Sequence, residues 1–381
     1  MVRGLCLLMA AIGCLGVARM DGGAPLQDPI KRLQQGNLKL SYHPTRGYLD
    51  DLLKALNISP TSQVLVWSKS SLQTDFIGRK TPRAMYFSES VYVGWSPGAP
   101  DLEILSIDPV RGPQMYSLPN KKGVAPKFKE ELALCTRCHA GNDGRPVRLL
   151  AQSTMVPESG YPRAFASTIN VTSKTPFAQR WGGWYVSGTH GAMRHMGNSV
   201  STGTDEQPKQ DVNKGANITD LSKFFNTKPY LSPHSDLAAL MVLDHQIHVH
   251  TILSRVQADT KDLREVSAEE VEPLVKALLC VGETKLTAPI KGVSGFTEAY
   301  GKQGPLHVLD LKTRLYRLSC SPLIGSDAFR ALNPKVRALV WSRIHEVLAG
   351  DEYPHIPAAV RGELDAALRA KQPEYLAASS K

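Results

Sequence analysis

Between residues 62 and 118 apolar and polar positions alternate in short runs: QVLVWS, AMYF, VYVGW, LEILSID and QMYSL. The runs are rich in Val, Ile, Tyr and Trp and are broken by Pro, Gly, Asp and Ser. That pattern predicts short strands in an antiparallel sheet or small sandwich. After Ser235 the period changes. DLAALMVLDHQIHVHTILSRV is apolar on nearly every side and predicts one long buried helix. SAEEVEPLVKALL, PKVRALVWSRIHEVLAG and PAAVRGELDAALRA predict three more helices. The expected fold class is α+β, with a β-rich N-terminal half and a helical C-terminal half.

The N-terminus changes the picture first. MVRGLCLLMAAIGCLGVARM places Arg3 before an apolar run from Gly4 to Ala18. The run is short for a membrane span and fits the apolar region of a signal peptide. Gly16 and Ala18 suit cleavage after Ala18. Lipoprotein-type processing that lipidates Cys14 is the alternative, ranked lower because the apolar run continues past it. A periplasmic or secreted location follows, with no transmembrane span in the mature chain. The 381 residues carry a formal net charge of +10 and a sequence pI near 9.2. That balance favours acidic partners, an acidic redox protein among them, or an anionic membrane surface. The plainer reading is a basic surface kept soluble by its charge. No Lys/Arg-rich run or nucleic-acid motif accompanies it, so nucleic acid is not an expected partner.

Export changes how the cysteines are read. Cys6 and Cys14 fall in the targeting segment, leaving Cys135, Cys138, Cys280 and Cys320. In an oxidising compartment a free dithiol does not persist by default. Cys135-Thr136-Arg137-Cys138-His139 matches C-x-x-C-H, the attachment signature of c-type haem. On a helical turn, positions three and four apart share a face. The two thiols can then reach the two haem vinyl groups from one side, with His139 turned toward iron. The preceding FKEELALC predicts a helical turn leading in. A zinc site needs two more ligands at similar spacing, and Cys280 and Cys320 are solitary. A thioredoxin-like dithiol needs a βαβ context that the strands do not offer. A simple disulfide is the plain alternative. There is one such motif, which argues against two-haem peroxidases and multihaem wires. The expected organisation is a signal peptide over 1–18, a β-rich haem-binding region over 19–212 and a helical region over 213–381 packed on it.

Several stretches carry a resemblance. SQVLVWSKSSLQTDFIGRKTPRAMYFSESVYVGW, CTRCH, RWGGWYVSGTHGAMRHMGN and YLSPHSDLAALMVLDHQ, with IKGVSGFTEAYGKQGP and SCSPLIGSDAF, resemble a family of exported bacterial single-haem cytochrome c proteins. The similarity covers most of the mature chain. It implies one covalent haem c with its iron, Cys135 and Cys138 as thioether anchors, and His139 as axial ligand. It implies no substrate.

The sixth iron ligand is less determined. Met196 lies in MRHMGN, a Gly-rich stretch, and Met opposite His is common in small cytochromes c. His195, next to it, would give bis-His ligation. His190 lies in the same stretch. Farther on, His245 and His248 share a helix face with Leu237, Met241 and Ile252, while His250 points the other way. Histidines three apart can ligate one metal, but on a buried helix hydrogen bonding is the ordinary explanation. RWGGWY offers either a haem-pocket wall with Trp181 or Trp184, or a buried strand with glycines for close packing. Arg145, Arg148 and Arg180 can pair with haem propionates, although a surface role is the ordinary reading for each. Whether Cys280 and Cys320 form a disulfide stays open. The function expected is an exported monohaem cytochrome c that transfers electrons. The alternative is a peroxidase or gas sensor with an open sixth position near His195 and Arg194.

Overall fold

The computed structural model describes residues 26–36, 38–139, 149–164, 166–261 and 265–378. The N-terminal stretch expected to be a signal peptide, with Cys6 and Cys14, and the arginines at 145 and 148 lie outside the described residues. Two short helices open the described chain: α1 (Pro29–Gln35) and α2 (Leu49–Ala55). The predicted strands follow as β1 (Val64–Val66), β2 (Arg83–Phe87), β3 (Val91–Trp95), β4 (Asp101–Asp108) and β5 (Gly112–Pro119). Next come β6 (Lys129–Glu130) and α3 (Leu132–His139). The short strands β7 (Gln152–Ser153) and β8 (Ile169–Asn170) pair with each other, and β9 (Trp184–Tyr185) rejoins the main sheet. The sheet order is β6-β5-β4-β3-β2-β1-β9, with every pairing antiparallel.

The period-2 alternation divides the side chains between two faces. Leu65, Tyr86, Val93, Ile104 and Tyr116 meet Ile30 of α1 and Leu49 and Leu52 of α2 in one core. Asp28, the N-cap of α1, is buried there and accepts from Ser106 Oγ at 2.9 Å and Tyr116 OH at 2.8 Å. The opposite face carries Val64, Phe87, Tyr92 and Ile107 into a second core. Helices fill that side: α4 (Leu237–Thr260), α5 (Ala268–Leu278), α6 (Phe296–Gly301), α7 (Asp327–Arg330), α8 (Pro334–Ala349), α9 (Ala358–Lys371) and α10 (Pro373–Ala378). With both faces covered, the arrangement is a single sheet between helical layers, and the α+β expectation holds.

Three local expectations resolve in detail. DLAALMVLDHQIHVHTILSRV is one helix, buried on nearly all sides. SAEEVEPLVKALL is α5, opened by a capping box between Ser267 and Glu270. The segment before CTRCH differs from expectation: Lys129 and Glu130 form a strand on β5, and the helix begins only at Leu132. Strand pairing to an open edge overrides the helical propensity of that stretch. Within RWGGWY, Trp184 and Tyr185 form the buried strand β9. A Cβ on Gly182 would stand 2.3 Å from Thr154 O, so only glycine permits this approach of two backbones. Among the described residues no helix is long and apolar enough to cross a membrane.

Candidate functional site

The helix α3 ends on CTRCH, and its placement follows from the sheet edge. Tyr116 and Ser117 of β5 pair with Glu130 and Lys129, and Glu131 N donates to Met115 O at 2.9 Å. Cys135 N then donates to Glu131 O at 3.2 Å. Cys135 and Cys138 are both free thiols, the first half-buried and the second exposed, and His139 is half-buried. As positions i, i+3 and i+4 of one helix, the three belong to one side of it. Burial, then the charges of Glu103 and Glu131 and the neighbouring Cys138, push the Cys135 thiol up to about 11. A redox dithiol requires the opposite, a stabilised thiolate, commonly at a helix N-terminus.

Glu103 identifies the sheet face that Cys135 senses. It accepts from Arg83 Nη1 at 2.7 Å and from Ser71 Oγ at 2.8 Å. Gly94 pairs with both Glu103 and Met85, leaving a position without a side chain in that row. Arg83 Nη2 lies 3.6 Å from Met85 Sδ, while Arg83 Nε is buried with no hydrogen-bond partner. An unpaired buried guanidinium N–H is costly and suits an anionic group such as a haem propionate. Arg83 therefore fits the role that the sequence reading offered to Arg145, Arg148 and Arg180. The only sequence signal for it was a cation on an otherwise apolar strand.

Arg180 has another task. It is 3 % exposed, against the surface role expected of it, and donates to Asp244 Oδ2 at 3.2 Å and to the carbonyls of Ser173 and Thr175. Trp181 Nε1 donates to the same Asp244 oxygen at 3.1 Å. Burial outweighs both donors and raises the Asp244 carboxyl to about 7.

The 190–197 loop is packed beside β9, where Asn198 bridges the backbone of Val186, whereas α3 packs on β5. Between those strands in the sheet lie β4, β3, β2 and β1. His195 is enclosed by Phe177, Trp181 and His190, with ring centroids 6.0, 5.5 and 4.8 Å away. Its Nδ1 accepts from Gly197 N at 3.0 Å, so the neutral ring carries its proton on Nε2. Burial first, then His190 and Arg194, lower it to about 3, which keeps it neutral. With its proton on Nε2, the ring presents no lone pair there in this structure. Met196 is half-buried, and its Sδ has one weak contact, 3.7 Å from Ser153 Oγ.

The helical half holds a second constellation. His245, fully buried on α4, has Nε2 2.8 Å from Ser321 Oγ and Nδ1 2.5 Å from Glu283 Oε1. Cys280 completes a group whose ligand atoms all lie within 4.8 Å of one another. Cys280 and Cys320 are buried free thiols in this structure, not a disulfide. The sequence reading paired His245 with His248 on helical spacing. The fold instead brings His245 to groups from the α5 terminus and the 319–321 turn. No periodicity could have shown that association. Comparison with protein-family models, curated proteins and solved structures returns no match to this chain.

Proposed function

We propose that this protein is an exported monohaem cytochrome c that transfers electrons. One observation carries the reading: CTRCH closes α3 with both thiols free, and burial pushes the Cys135 thiol up. Cys135 and Cys138 would hold the haem as thioethers, and His139 would supply the proximal nitrogen. The haem would supply one-electron chemistry at iron. This chain's own residues would orient and anchor it, with Arg83 as the cation for a propionate. Met196 and His195 lie in the loop beside β9, with four strands between it and the β5 that carries α3, so neither is assigned as the distal ligand. His195 would also have to break its Gly197 bond or lose the Nε2 proton. The positive net charge favours an acidic redox partner. The proposed location is periplasmic or secreted.

The test is expression in a host with haem-attachment machinery. The product should carry one haem that survives denaturation and organic extraction. Cys135→Ala with Cys138→Ala should abolish it, and His139→Ala should change the spin state and lower retention. A mass equal to the bare polypeptide would end this reading. A low-spin, six-coordinate reduced spectrum supports the carrier. A high-spin haem that binds CO readily would favour the peroxidase or gas-sensing alternative.

A further inference from the structure

We propose that His245, Cys280 and Glu283 form a buried site for a divalent transition-metal ion of the zinc class, separate from the CTRCH helix. One imidazole, one thiol and one carboxylate converge here, and their ligand atoms lie within 4.8 Å of one another. That mixed nitrogen, sulfur and oxygen set is typical of zinc, at bond lengths of about 2.0–2.3 Å. A tetrahedral ion would set the three atoms roughly 3.3–3.7 Å apart, which closes the widest gap by about 1 Å and opens the 2.5 Å Nδ1–Oε1 pair by about 1 Å. Three protein ligands leave a fourth position for water.

The surroundings fit an ion. His245 Nδ1–H is donated to the Glu283 carboxylate at 2.5 Å; an ion would take the place of that proton, with Nε2–H then donated to Ser321 Oγ at 2.8 Å. This is the outer-partner arrangement that fixes the tautomer of a ligating histidine. Ser321 Oγ also accepts from Leu323 N at 3.3 Å, so its position is held independently of the ring. Cys280 adopts the left-handed region at φ 56, where a residue other than glycine is uncommon. Beside the cluster, Ser173, 4 % exposed, hydrogen-bonds the Glu283 carboxylate and helps to hold it ionised. One turn along α4, His248 Nε2 is buried and unpaired. An unpaired polar atom at a buried site is expected where an ion and its water complete the hydrogen bonding.

The chain Ser321–His245–Glu283 has the connectivity of a hydrolytic triad. Ser321 is fully buried and caps the 322–325 turn. A nucleophile there has no open face for substrate, so we assign Ser321 to positioning His245.

The experiment uses the full chain carrying Cys135→Ala and Cys138→Ala, so that neither haem nor metal can bind at α3. Failure of the haem reading therefore leaves this test intact. After chelator dialysis the protein is titrated with Zn²⁺ alone and with Co²⁺ alone. We expect one ion per chain, a higher Tm with Zn²⁺, and a thiolate-to-cobalt charge-transfer band. Cys280→Ser and Glu283→Gln should each weaken binding at least about 100-fold, and Ser321→Ala about 10–100-fold. If a variant misfolds, the cobalt spectrum of the parent decides. A parent that retains no ion, or whose cobalt spectrum lacks the thiolate band, overturns the site. So does binding unchanged by both ligand substitutions in folded protein.

Discussion

At the residue scale, His250 shows how burial turns a titratable group into a pH-dependent element of stability. Its Nε2 donates to Glu89 O at 2.7 Å, and its Nδ1 is buried without a partner. Burial outweighs the help of that carbonyl and of the Glu89 charge, and lowers the ring to about 4. The unfolded chain titrates near 6.5. Between those values the unfolded state binds more protons, so stability rises with pH across the window and is lost as pH falls through it. From pH 7 to pH 5 this one residue should remove about 2 kcal/mol. Urea unfolding of His250→Gln at both pH values should show a dependence flatter by that amount. An unchanged slope would mean that the ring is not held neutral by burial.

Among the elements, α4 depends on its first residue. Asp236 Oδ1 caps the helix by accepting from Ala238 N at 2.8 Å and Ala239 N at 3.2 Å. Oδ2 accepts from Val293 N at 2.7 Å and Ser294 N at 2.8 Å, tying the 292–294 segment to the helix start. Gly292 allows this approach, since a Cβ there would lie 2.6 Å from the carboxylate. Losing the cap costs about 1 kcal/mol, and two orphaned amides add about 1 kcal/mol or more each. Asp236→Ala should therefore destabilise by about 3 kcal/mol, seen as a lower denaturant midpoint at unchanged slope. Asp236→Asn keeps one acceptor and should cost less. An Asn variant as stable as the wild type would show that the second pair of hydrogen bonds contributes nothing.

On the scale of the whole molecule, the core beneath the sheet takes residues from both sides of position 212. Val64, Phe87, Tyr92 and Ile107 share it with Leu237, Met241, Leu274 and Ile344. Tyr92 OH reaches Gln246 of α4, and His250 reaches the β2–β3 turn at Glu89. Splitting the chain at that point would strip the apolar face from the sheet and from α4 together. The full protein should unfold in one cooperative transition. Fragments 26–212 and 213–378, expressed separately, should show none, with amides of β1–β4 exchanging fast. A protected, cooperatively melting 26–212 fragment would mean that the sheet is stabilised by α1 and α2 alone.

The sequence by itself determined the parts whose cause is local. Alternation gave the five strands of residues 62–118, because a half-buried strand repeats every two residues. Unbroken apolarity gave the buried α4, and the Ser267–Glu270 spacing marked the start of α5. The proposed haem attachment rests on local sequence too, since CTRCH places two cysteines and a histidine within one helical turn. Tertiary structure decided whatever depends on distant pairing. Lys129 and Glu130 became a strand because β5 offered an open edge. Arg180 became a buried partner of Asp244, 64 positions away. His195 is held by a backbone amide two residues on, within an aromatic enclosure that only the fold assembles. His245, Cys280, Glu283 and Ser321 met because α4, the α5 terminus and the 319–321 turn pack together. Local patterns record which face a residue turns inward. They do not record what it finds there, because that is set by contacts between segments far apart in the chain.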